Sequence, residues 1–574
     1  MNIAITGYGI VSALGVGREA TLDALSHGRG GVGRMRILKS AHCDLPVGEV
    51  PLTDAELADI AGVPCIDVPR STLLGIVAAK EALQNARVSD VCEMAFISGT
   101  TVGGMDVTER LWNKCDDAAV CKTIAQKHSA DSCTRDISDA LGKFGFMTTI
   151  STACSSALNA IIYGADLIRT RRFRRVLVGG TEALTLFHLN GFNSLRILDS
   201  ALCRPFDESR NGLNLGEGAA YLVIEDEDSA LDRNVPVLAY IGGYANCCDA
   251  FHQTATSDDA VGPSMAMSKA LQCAGIAPCD VDYINTHGTG TPNNDQTELT
   301  AVHNVFGNAV PPFSSTKCFT GHTTSASGSI ETVICLLTME SQTAFANFSA
   351  KQPIEGSNSL VLAKAYNRAD VVMCNSFGFG GNDSSLILSR YALAHNDEPC
   401  LELALQTFAE SCENPDECKQ FLGPMQVRRM TPQMRCVVAA VHKSLRKAGI
   451  DKPDAIIAQT KWGCKHNSLI FLNDMLNNAE QELSPTPFMQ STHNTVASQI
   501  AIMLGCHGYN STIVPDMAYP HAADTDAVML LQTGVARSVL LIDFEEPDIE
   551  WDAMLEKAGA EIKHMANATI IMIE

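Results

Sequence analysis

The sequence predicts an α/β fold built from repeated half-units, with layers of sheets and helices. Short apolar runs rich in β-branched residues alternate with stretches of helical periodicity, as where "FMTTIS" (146–151) precedes "SSALNAIIYG" (155–164). Strands that alternate with helices in this way indicate a fold whose sheets are mostly buried. Segments of the first part of the chain also recur later in the same order, which predicts that one structural unit is repeated.

The composition indicates a compact protein without membrane spans. The chain has 574 residues, of which 46% are hydrophobic, and no apolar run reaches the length of a membrane helix. Its 65 acidic and 42 basic residues give a net charge of -23, which disfavours binding to nucleic acid or to an anionic membrane. The N-terminus has no basic leader, so we expect a cytoplasmic protein. The 21 cysteines include no CxxC pair, so we expect reduced thiols and no metal site.

Internal similarities divide the chain into three units. The predicted units are residues 1–235, 236–392 and 395–574. The first two are related because "AITGYG" (4–9) resembles "AYIGGYA" (239–245). The third unit, the tail, repeats the first, since residues 437–464 match residues 75–104 in order and spacing: a helix, an acidic turn, a strand and then a Thr/Gly loop. Repeats of this kind normally pack on one another, so we expect the tail to dock, joined by a polar link at 392–400.

One cysteine, Cys154, lies where the pattern changes from strand to helix, in "TTISTACSSALNAI" (148–161). A helix N-terminus presents unpaired N–H groups and a dipole that favour an anion. That placement predicts a lowered thiol pKa and a reactive thiolate. Taken alone, the turn is better explained by the packing of a small residue, so the nucleophile interpretation depends on the neighbouring motifs.

Two histidines lie in loops that suit a site around such a nucleophile. His287 ends an apolar strand in a Gly-rich loop, where glycines allow the close approach of a ligand. His322 follows Lys317 by five residues and precedes Glu331 by nine. The segment "NSFGFGG" (375–381) adds a loop that can supply backbone N–H donors and an aromatic flap. Either histidine alone has a structural interpretation, but the combination favours a catalytic site.

Six motifs occur together and in a characteristic order. They are the Cys154 turn, "GGTEA" (179–183), "CRPFDESRNGLNLGEGAA" (203–220), "HGTGTPNNDQTE" (287–298), the Lys317–His322 segment and "NSFGFGG". In this order they resemble the β-ketoacyl-acyl-carrier-protein synthases, the decarboxylating condensing enzymes of the thiolase fold. The resemblance covers residues 1 to about 392. It implies a thiolase-like fold in which residues 1–235 carry the cysteine and residues 236–392 carry the two histidines.

The resemblance implies a Cys-His-His mechanism. Cys154 would take an acyl group, as a thioester, from the phosphopantetheine of an acyl carrier protein. His287 and His322 would donate hydrogen bonds to the malonyl-carrier thioester and stabilise the enolate that forms as carbon dioxide leaves. The carbanion would then attack the acyl group on Cys154.

Three further residues complete the site that the resemblance implies. Backbone N–H groups of Cys154 and Phe379 would hold the tetrahedral oxyanion, and Phe379 would also gate access. Lys317 and Glu331 would set the charge and orientation of the histidines rather than touch substrate. The substrates travel on phosphopantetheine, and we expect no metal or other cofactor.

Carrier docking is the least defined part of the resemblance. Arg196 matches an arginine near the tunnel mouth of relatives, and Arg70 is a weaker candidate. The basic run that helps docking in relatives is missing between Gly104 and Cys154. Two motifs also depart from the family pattern, with "SASG" in place of "GAAG" and "FGGND" in place of "FGGTN". These departures affect the choice of carrier more than catalysis.

The tail lacks the catalytic residues of the repeat. Asn494 or His493, in "STHN", stands at the nucleophile position, and nothing like "HGTGT" follows. The tail resembles truncated ketosynthase-like domains, related to chain-length factors, of aryl polyene and flexirubin-type pathways. Because relatives work as dimers, the tail would fill the partner's place as an intrachain pseudo-dimer and close the acyl tunnel, with a further homo-oligomer as an open alternative. An inert stabilising appendage is the other interpretation.

Several functions stay open at this stage. An elongating ketosynthase of polyene or other polyketide-like chains is favoured over an ordinary fatty-acid elongation enzyme with an inert tail. A non-condensing chain-length factor or scaffold is disfavoured because Cys154, His287 and His322 are all present. A degradative thiolase would need a second cysteine where "NSFGFGG" stands, and a simple Cys/His hydrolase leaves Lys317 unexplained.

Overall fold

The computed structural model describes residues 2–366, 368–393, 403–428 and 430–573. Most of the predicted link at 392–400 lies outside these residues. In the first unit the strands are β1 (Ile3–Ser12), β2 (Gly15–Val16), β3 (Gly33–Arg34), β4 (Pro46–Val47), β5 (Ala95–Gly99), β6 (Phe146–Ile150), β7 (Arg175–Glu182) and β8 (Gly218–Asp226). The helices are α1 (Gly17–Ser26), α2 (Asp54–Ala61), α3 (Arg70–Asn85), α4 (Met105–Leu111), α5 (Ala118–Lys127), α6 (Ala130–Leu141), α7 (Ser156–Arg169), α8 (Leu186–Ser194) and α9 (Glu227–Asp232).

The second unit follows the same plan with shorter connections. Its strands are β9 (Ala239–Cys248), β10 (Tyr283–Asn285), β11 (Phe313–Ser314), β12 (Thr343–Ala344), β13 (Ala365–Tyr366), β14 (Val371–Gly378) and β15 (Asn382–Ser389). Its helices are α10 (Val261–Ala274), α11 (Pro292–Phe306), α12 (Lys317–Thr320) and α13 (Ser327–Ser341).

The tail forms a third unit. Its strands are β16 (Leu405–Ser411), β17 (Ala455–Gln459), β18 (Asn510–Val514), β19 (Ser538–Glu545) and β20 (Met565–Ile573). Its helices are α14 (Pro424–Val427), α15 (Pro432–Ala448), α16 (Lys465–Asn477), α17 (Pro485–Met489), α18 (Thr495–Leu504), α19 (Ala522–Gln532) and α20 (Ile549–Ala558). In the described part of the chain, no helix combines the length and the apolar character needed to cross a membrane.

One strand order occurs three times in a continuous hydrogen-bonded sheet. The order is β6-β5-β7-β8-β1 in the first unit, β11-β10-β14-β15-β9 in the second and β18-β17-β19-β20-β16 in the tail. In each unit the first three strands are parallel and the last two antiparallel to their neighbours. The predicted fold, a thiolase-like arrangement of two half-units followed by a third, is confirmed.

Two short antiparallel contacts join the units. Residues Ile3–Ile5 of β1 pair with Ala239–Ile241 of β9. On the other side, Ile150 of β6 pairs with Ile513 of β18, so the tail continues the sheet of the first unit. An uncovered β6 would be a free edge able to pair with another chain. The tail therefore covers an edge that the first unit leaves open.

Helix α7 lies at the centre of the molecule. All its residues from Ser156 to Ile168 are buried, as expected for a helix that is mostly apolar or small around its circumference, and its buried Asn159 and Asp166 are hydrogen-bonded. It packs on β5 and β7 of its own unit and on α13 of the second. Close packing between the two helices depends on Gly328, because a Cβ there would lie 2.7 Å from the backbone nitrogen of Leu158. The N-termini of α7 and α13 are thereby brought to one place.

Candidate active site

Cys154 lies in a strained turn between β6 and α7. A single turn of 3₁₀-helix, Ala153–Ser155, precedes α7, and Ala153 has a φ of 53°. A left-handed backbone at a non-glycine residue is costly and persists only when its surroundings hold it. Here the Ser156 hydroxyl donates to the Ala153 carbonyl at 2.6 Å and accepts from the Thr152 N–H at 2.9 Å. The turn places the Cys154 side chain at the N-terminus of α7, where the sequence pattern predicted it.

His322 comes from the matching turn of the second unit. A 3₁₀ turn at Thr324–Ala326 precedes α13, and Thr324 also has a positive φ of 43°. His322 Nε2 lies 3.1 Å from Cys154 Sγ, and its Nδ1 lies 3.0 Å from the Ser327 hydroxyl. The repeat therefore places a thiol from one unit and an imidazole from the other within hydrogen-bond distance.

His287 is held from two sides at the end of β10. The Glu298 carboxylate accepts hydrogen bonds from the backbone N–H of His287 at 2.8 Å and of Gly288 at 2.7 Å. Lys317 Nζ donates to the His287 carbonyl at 2.5 Å and lies 3.4 Å from its Nδ1. Lys317 also forms an ion pair with Glu331, and both side chains are buried. An ammonium group has only donors, so we assign the His287 proton to Nε2, the nitrogen remote from Lys317.

The structure brings the five predicted side chains into one cluster. The sulfur of Cys154 and one ring nitrogen each of His287 and His322 all lie within 4.8 Å of one another. The two imidazole rings are 5.3 Å apart and nearly perpendicular, at 82°. Lys317 and Glu331 lie behind His287. One nitrogen of each imidazole thus lies beside the thiol.

Burial dominates the electrostatics of this cluster. Desolvation, helped by the Lys317 charge, lowers the pKa of His287 and of His322 well below the ordinary value, so both rings are neutral. The predicted low pKa of the thiol is wrong for the free protein, because burial raises the pKa of Cys154 to about 12. Lys317 and the backbone N–H groups of Phe379 and Cys154 oppose this rise only in part. The resting thiol is protonated at neutral pH.

Comparisons with known proteins agree with this geometry. Residues 1–230 match the family described as "Beta-ketoacyl synthase, N-terminal domain", residues 238–351 match its C-terminal domain, and residues 404–569 match a second N-terminal-domain family. The 3-oxoacyl-[acyl-carrier-protein] synthase 2 of Staphylococcus aureus (strain MRSA252) is 32% identical over 410 residues, covering 68% of this chain and 99% of the relative. The chain belongs to the β-ketoacyl synthase family. It is therefore an acyltransferase of the 3-oxoacyl-[acyl-carrier-protein] synthase type.

Two solved structures extend the comparison. The ishigamide ketosynthase/chain length factor is 30% identical, with a TM-score of 0.64, and the match covers 68% of this chain and 99% of that one. The PfaC keto synthase-chain length factor is 16% identical, with a TM-score of 0.81, and covers 100% of this chain and 78% of that one. The second match concerns the fold alone, but it includes the tail. The fold shared with that structure therefore extends over the tail.

Phe379 links the nucleophile to the tail. Its backbone N–H, like that of Cys154, is directed at Cys154 Sγ. Its ring stacks on Phe192, with centroids 5.7 Å apart and planes at 17°. Its carbonyl accepts a hydrogen bond of 2.9 Å from Asn494 Nδ2 of the tail. Asn494, which stands at or near the nucleophile position of the third unit, therefore holds the loop that would form the oxyanion site.

A cavity runs from Cys154 to the boundary between the first unit and the tail. It encloses about 770 Å³ of empty space, part of it open to solvent. Phe187, Phe192 and Val102 of the synthase's first unit form one wall. The other wall comes from the tail and consists of Trp462, Ser468, Phe488, Ser491, Thr492 and His493. The tail therefore supplies about a third of the lining of this cavity.

The two docking candidates differ in the structure. Arg196 is exposed, and no ion pair to it occurs within the described residues. Arg70 is buried, with its guanidinium bound to both oxygens of Glu217 and to Asp54. The docking role of Arg70 is corrected, because a buried and fully paired guanidinium presents no charge to a carrier. Arg196 stays a prediction.

Sequence reasoning missed two carboxylates of the site. Glu298, in "HGTGTPNNDQTE", fixes the backbone of His287. Glu182, in "GGTEA", accepts hydrogen bonds from the loop after β5 and from Thr324 and Ser325. Both residues lie inside motifs that carry the resemblance. An acidic residue among the small residues of such a motif was the signal that could have identified them as part of the site. No motif of the resemblance contains the cavity residues His128, Trp462 and His493.

Proposed function

We propose that this synthase catalyses the decarboxylative Claisen condensation of malonyl-acyl-carrier-protein with an acyl group bound to Cys154. The observation that carries the proposal is the convergence of one thiol and two neutral imidazoles within 4.8 Å. A hydrolase requires a charged or proton-accepting histidine, whereas two neutral N–H donors suit the stabilisation of an enolate oxygen.

The first half-reaction loads the nucleophile. Cys154 Sγ attacks the acyl thioester of the carrier, and the N–H groups of Cys154 and Phe379 stabilise the tetrahedral oxyanion. The carrier's pantetheine thiolate leaves and takes up the proton that Cys154 loses. Because the resting thiol is protonated, this proton transfer accompanies attack.

The second half-reaction forms the carbon–carbon bond. Malonyl-carrier binds with its thioester oxygen between His287 Nε2–H and His322 Nε2–H, and loss of carbon dioxide leaves an enolate on that oxygen. The enolate carbon attacks the acyl carbonyl on Cys154. Collapse of this intermediate releases β-ketoacyl-carrier and the Cys154 thiolate, which takes a proton from solvent. Lys317 and Glu331 keep His287 in the required tautomer, and no step needs a metal or another cofactor.

The tail, in this proposal, acts as a chain-length factor in the place of a dimer partner. Support comes from the β6–β18 pairing and from the six tail residues that line the cavity. An inert appendage would not need to reach the acyl pocket. We place the reaction in the cytoplasm and in a polyene-like or other polyketide-like pathway, with ordinary fatty-acid elongation as the alternative. A non-condensing scaffold is disfavoured by the complete site.

The test uses purified protein, malonyl-carrier and a panel of acyl-carriers, with mass spectrometry of protein and carriers. We expect acylation at Cys154, release of carbon dioxide and β-ketoacyl-carrier products. Cys154→Ala should not be acylated, while Cys436→Ala, which removes a buried thiol of the tail core, should behave as the parent. His287→Ala should slow decarboxylation about a hundred- to a thousand-fold, as expected on loss of one oxyanion donor. Full acylation of Cys154→Ala, or a parent without condensation, would overturn the proposal.

A further inference from the structure

We propose that the far end of the cavity, formed by His128 and His493, binds a neutral hydrogen-bonding oxygen carried by the acyl chain. The ligand is thus an acyl group with a hydroxyl or carbonyl away from its thioester, not a plain hydrocarbon chain. This inference rests on the proposed function, because it takes Cys154 as the site of acylation.

The cavity is lined by apolar rings and by imidazoles. The rings of Phe187 and Phe192 offer no hydrogen bonds, whereas His188 lies near enough to His322 for its charge to lower the pKa of that ring. The lining also includes His128 of the first unit and His493 of the tail, and His128 borders a second, smaller cavity that Cys154 does not line. His287 does not line the larger cavity, so the cavity leads away from the place assigned to malonyl-carrier. A chain that starts on Cys154 therefore has aromatic rings and imidazoles within the same cavity.

The other polar groups of this end are already engaged. The Ser491 hydroxyl donates to the Phe488 carbonyl at 2.8 Å, and the Ser468 hydroxyl donates to the Cys464 carbonyl at 3.1 Å. The Thr492 hydroxyl is paired with that of Thr495 at 3.0 Å. Since these groups are satisfied by the protein, the free hydrogen-bonding capacity of the cavity end belongs to the two imidazoles.

His128 presents an acceptor to the cavity. Its Nδ1 lies 2.9 Å from the Thr108 hydroxyl, which itself donates to the Gly104 carbonyl at 3.2 Å. The Thr108 oxygen is then left to accept, so we assign the His128 proton to Nδ1 and a lone pair to Nε2. The ring is neutral because burial lowers its pKa to about 3. An O–H group of a ligand is the matching donor for Nε2.

His493 supplies the second group. Among the described residues, no hydrogen bond to the His493 ring is formed, although the ring packs against the backbone of Gly463. Burial lowers its pKa to about 4, and it lies near enough to His128 for its charge to lower the pKa of that ring. A neutral imidazole carries one donor and one acceptor. His493 can therefore donate to the same ligand oxygen that donates to His128.

The two imidazoles suit a neutral ligand. Lys465, which lines a smaller cavity that shares His128 and Ser468 with the first, is buried and paired with Asp552 at 2.8 Å. A second cation, Lys461, has its Nζ 5.2 Å from the centroid of the Trp462 ring. The imidazoles themselves are neutral and offer hydrogen bonds without a counter-charge, and a buried unpaired charge is unfavourable. A neutral oxygen is the group that fits them.

Tryptophans make this end rigid. All three tryptophans of the chain meet there: Trp551 lies 4.6 Å from His128, 5.4 Å from Trp462 and 5.6 Å from Trp112, between ring centroids. Large flat rings packed together hold the His128 side chain in one orientation, so the hydrogen-bonding geometry exists before the ligand binds. Trp462 belongs to the tail, so this end of the cavity is incomplete without it.

The test compares pairs of acyl thioesters that differ only by a terminal hydroxyl, in lengths from butanoyl to decanoyl, on the purified full chain. The rate of Cys154 acylation is followed by intact-protein mass spectrometry. At the length that reaches the histidines we expect the hydroxylated member to react about ten- to a hundred-fold faster, because a plain chain leaves both imidazoles unpaired. His493→Phe and His128→Phe should each reduce this preference at least several-fold while acylation by the plain chain is unchanged or faster.

Two controls make the result decisive. His442→Phe makes the same change at a tail histidine that is stacked on Phe421 outside the cavity, and it should keep the preference. If His128→Phe does not fold, His128→Asn replaces it, and tryptophan emission of Cys154→Ala titrated with an ω-hydroxyacyl amide reports occupancy of the cavity end without any reaction.

The outcomes separate this inference from the proposed function. Acylation without a hydroxyl preference at any length, or a preference that survives both histidine variants, overturns the inference and leaves the condensing activity intact. An equal loss for both members of each pair would show that the histidines serve the carrier arm or the fold, and it also overturns the inference. A parent that is acylated by neither member and releases no carbon dioxide overturns the proposed function itself.

Discussion

In the proposed mechanism, the hydrogen bond from Asn494 to Phe379 gives the tail control of the oxyanion site, and one substitution removes this bond. Asn494→Leu keeps nearly the same volume but deletes the Nδ2 donor that lies 2.9 Å from the Phe379 carbonyl. Asn494 Oδ1 is buried and has no partner within the described residues, so its loss leaves no new unpaired group on this side chain. We therefore expect little change in global stability and a specific change in the loop that carries Phe379.

The magnitude follows from the carbonyl that loses its partner. A buried acceptor left unpaired costs about 1–3 kcal/mol, which corresponds to about a 5- to 150-fold shift in the equilibrium between the present loop and displaced ones. The remaining support, such as the hydrogen bond of 2.7 Å from Gly380 N–H to the Gln253 carbonyl, does not touch the Phe379 carbonyl. Because Phe379 N–H belongs to the displaced loop, the rate of Cys154 acylation should fall by up to the same factor.

The assay is single-turnover acylation of Cys154 followed by mass spectrometry, beside a thermal melt. Tyr163→Phe is the matched control, since it removes another buried hydrogen bond between first unit and tail, from Tyr163 to the Ala522 carbonyl at 2.9 Å. It should leave the acylation rate unchanged. Acylation of Asn494→Leu within twofold of the parent, or an equal loss in Tyr163→Phe, would refute the reasoning.

Three further predictions concern the tail, the carrier and pH. Deletion after Arg390 uncovers the edge of β6 and should therefore cause aggregation or homodimerisation, measured by size-exclusion chromatography. It should also broaden the range of product lengths, measured by product analysis. An unchanged monomer with unchanged products would count against the tail's role. Arg196→Glu should raise the KM for acyl-carrier at low salt but not for a small acyl thioester, whereas Arg70→Gln should destabilise the fold by about 3–5 kcal/mol, because it leaves Glu217 buried without its partner. His128 has a pKa of about 3 in the folded protein, below its ordinary 6.5, so the unfolded chain binds more protons in acid. The free energy of unfolding should therefore fall as pH drops below 6.5, by up to about 1.4 kcal/mol per pH unit. Denaturant unfolding of His128→Phe should show a weaker fall of this free energy with decreasing pH, and an identical fall would contradict the assignment.

Local sequence was enough for the parts of the site that local structure builds. The change of pattern around Cys154 predicts a strand, a turn and a helix, and β6, the 3₁₀ turn and α7 occupy those places. Motif order indicated that His287 and His322 share the site. The pKa of Cys154 was predicted wrongly, because a helix N-terminus is visible in the sequence whereas the extent of burial is not. The burial of Arg70 was hidden for the same reason.

The sequence by itself determined the repeated fold, the family and the candidate catalytic side chains, because each depends on patterns within a few tens of residues. Only the tertiary structure decided how the tail contributes. His128 and His493 are 365 positions apart in the chain, and they meet because β18 pairs with β6 and carries the third unit onto the first. No local pattern encodes that contact, since it arises from the burial of two apolar surfaces and one open sheet edge. The same docking brings Asn494 to Phe379, so the shape and the polarity of the acyl pocket are properties of the assembled units.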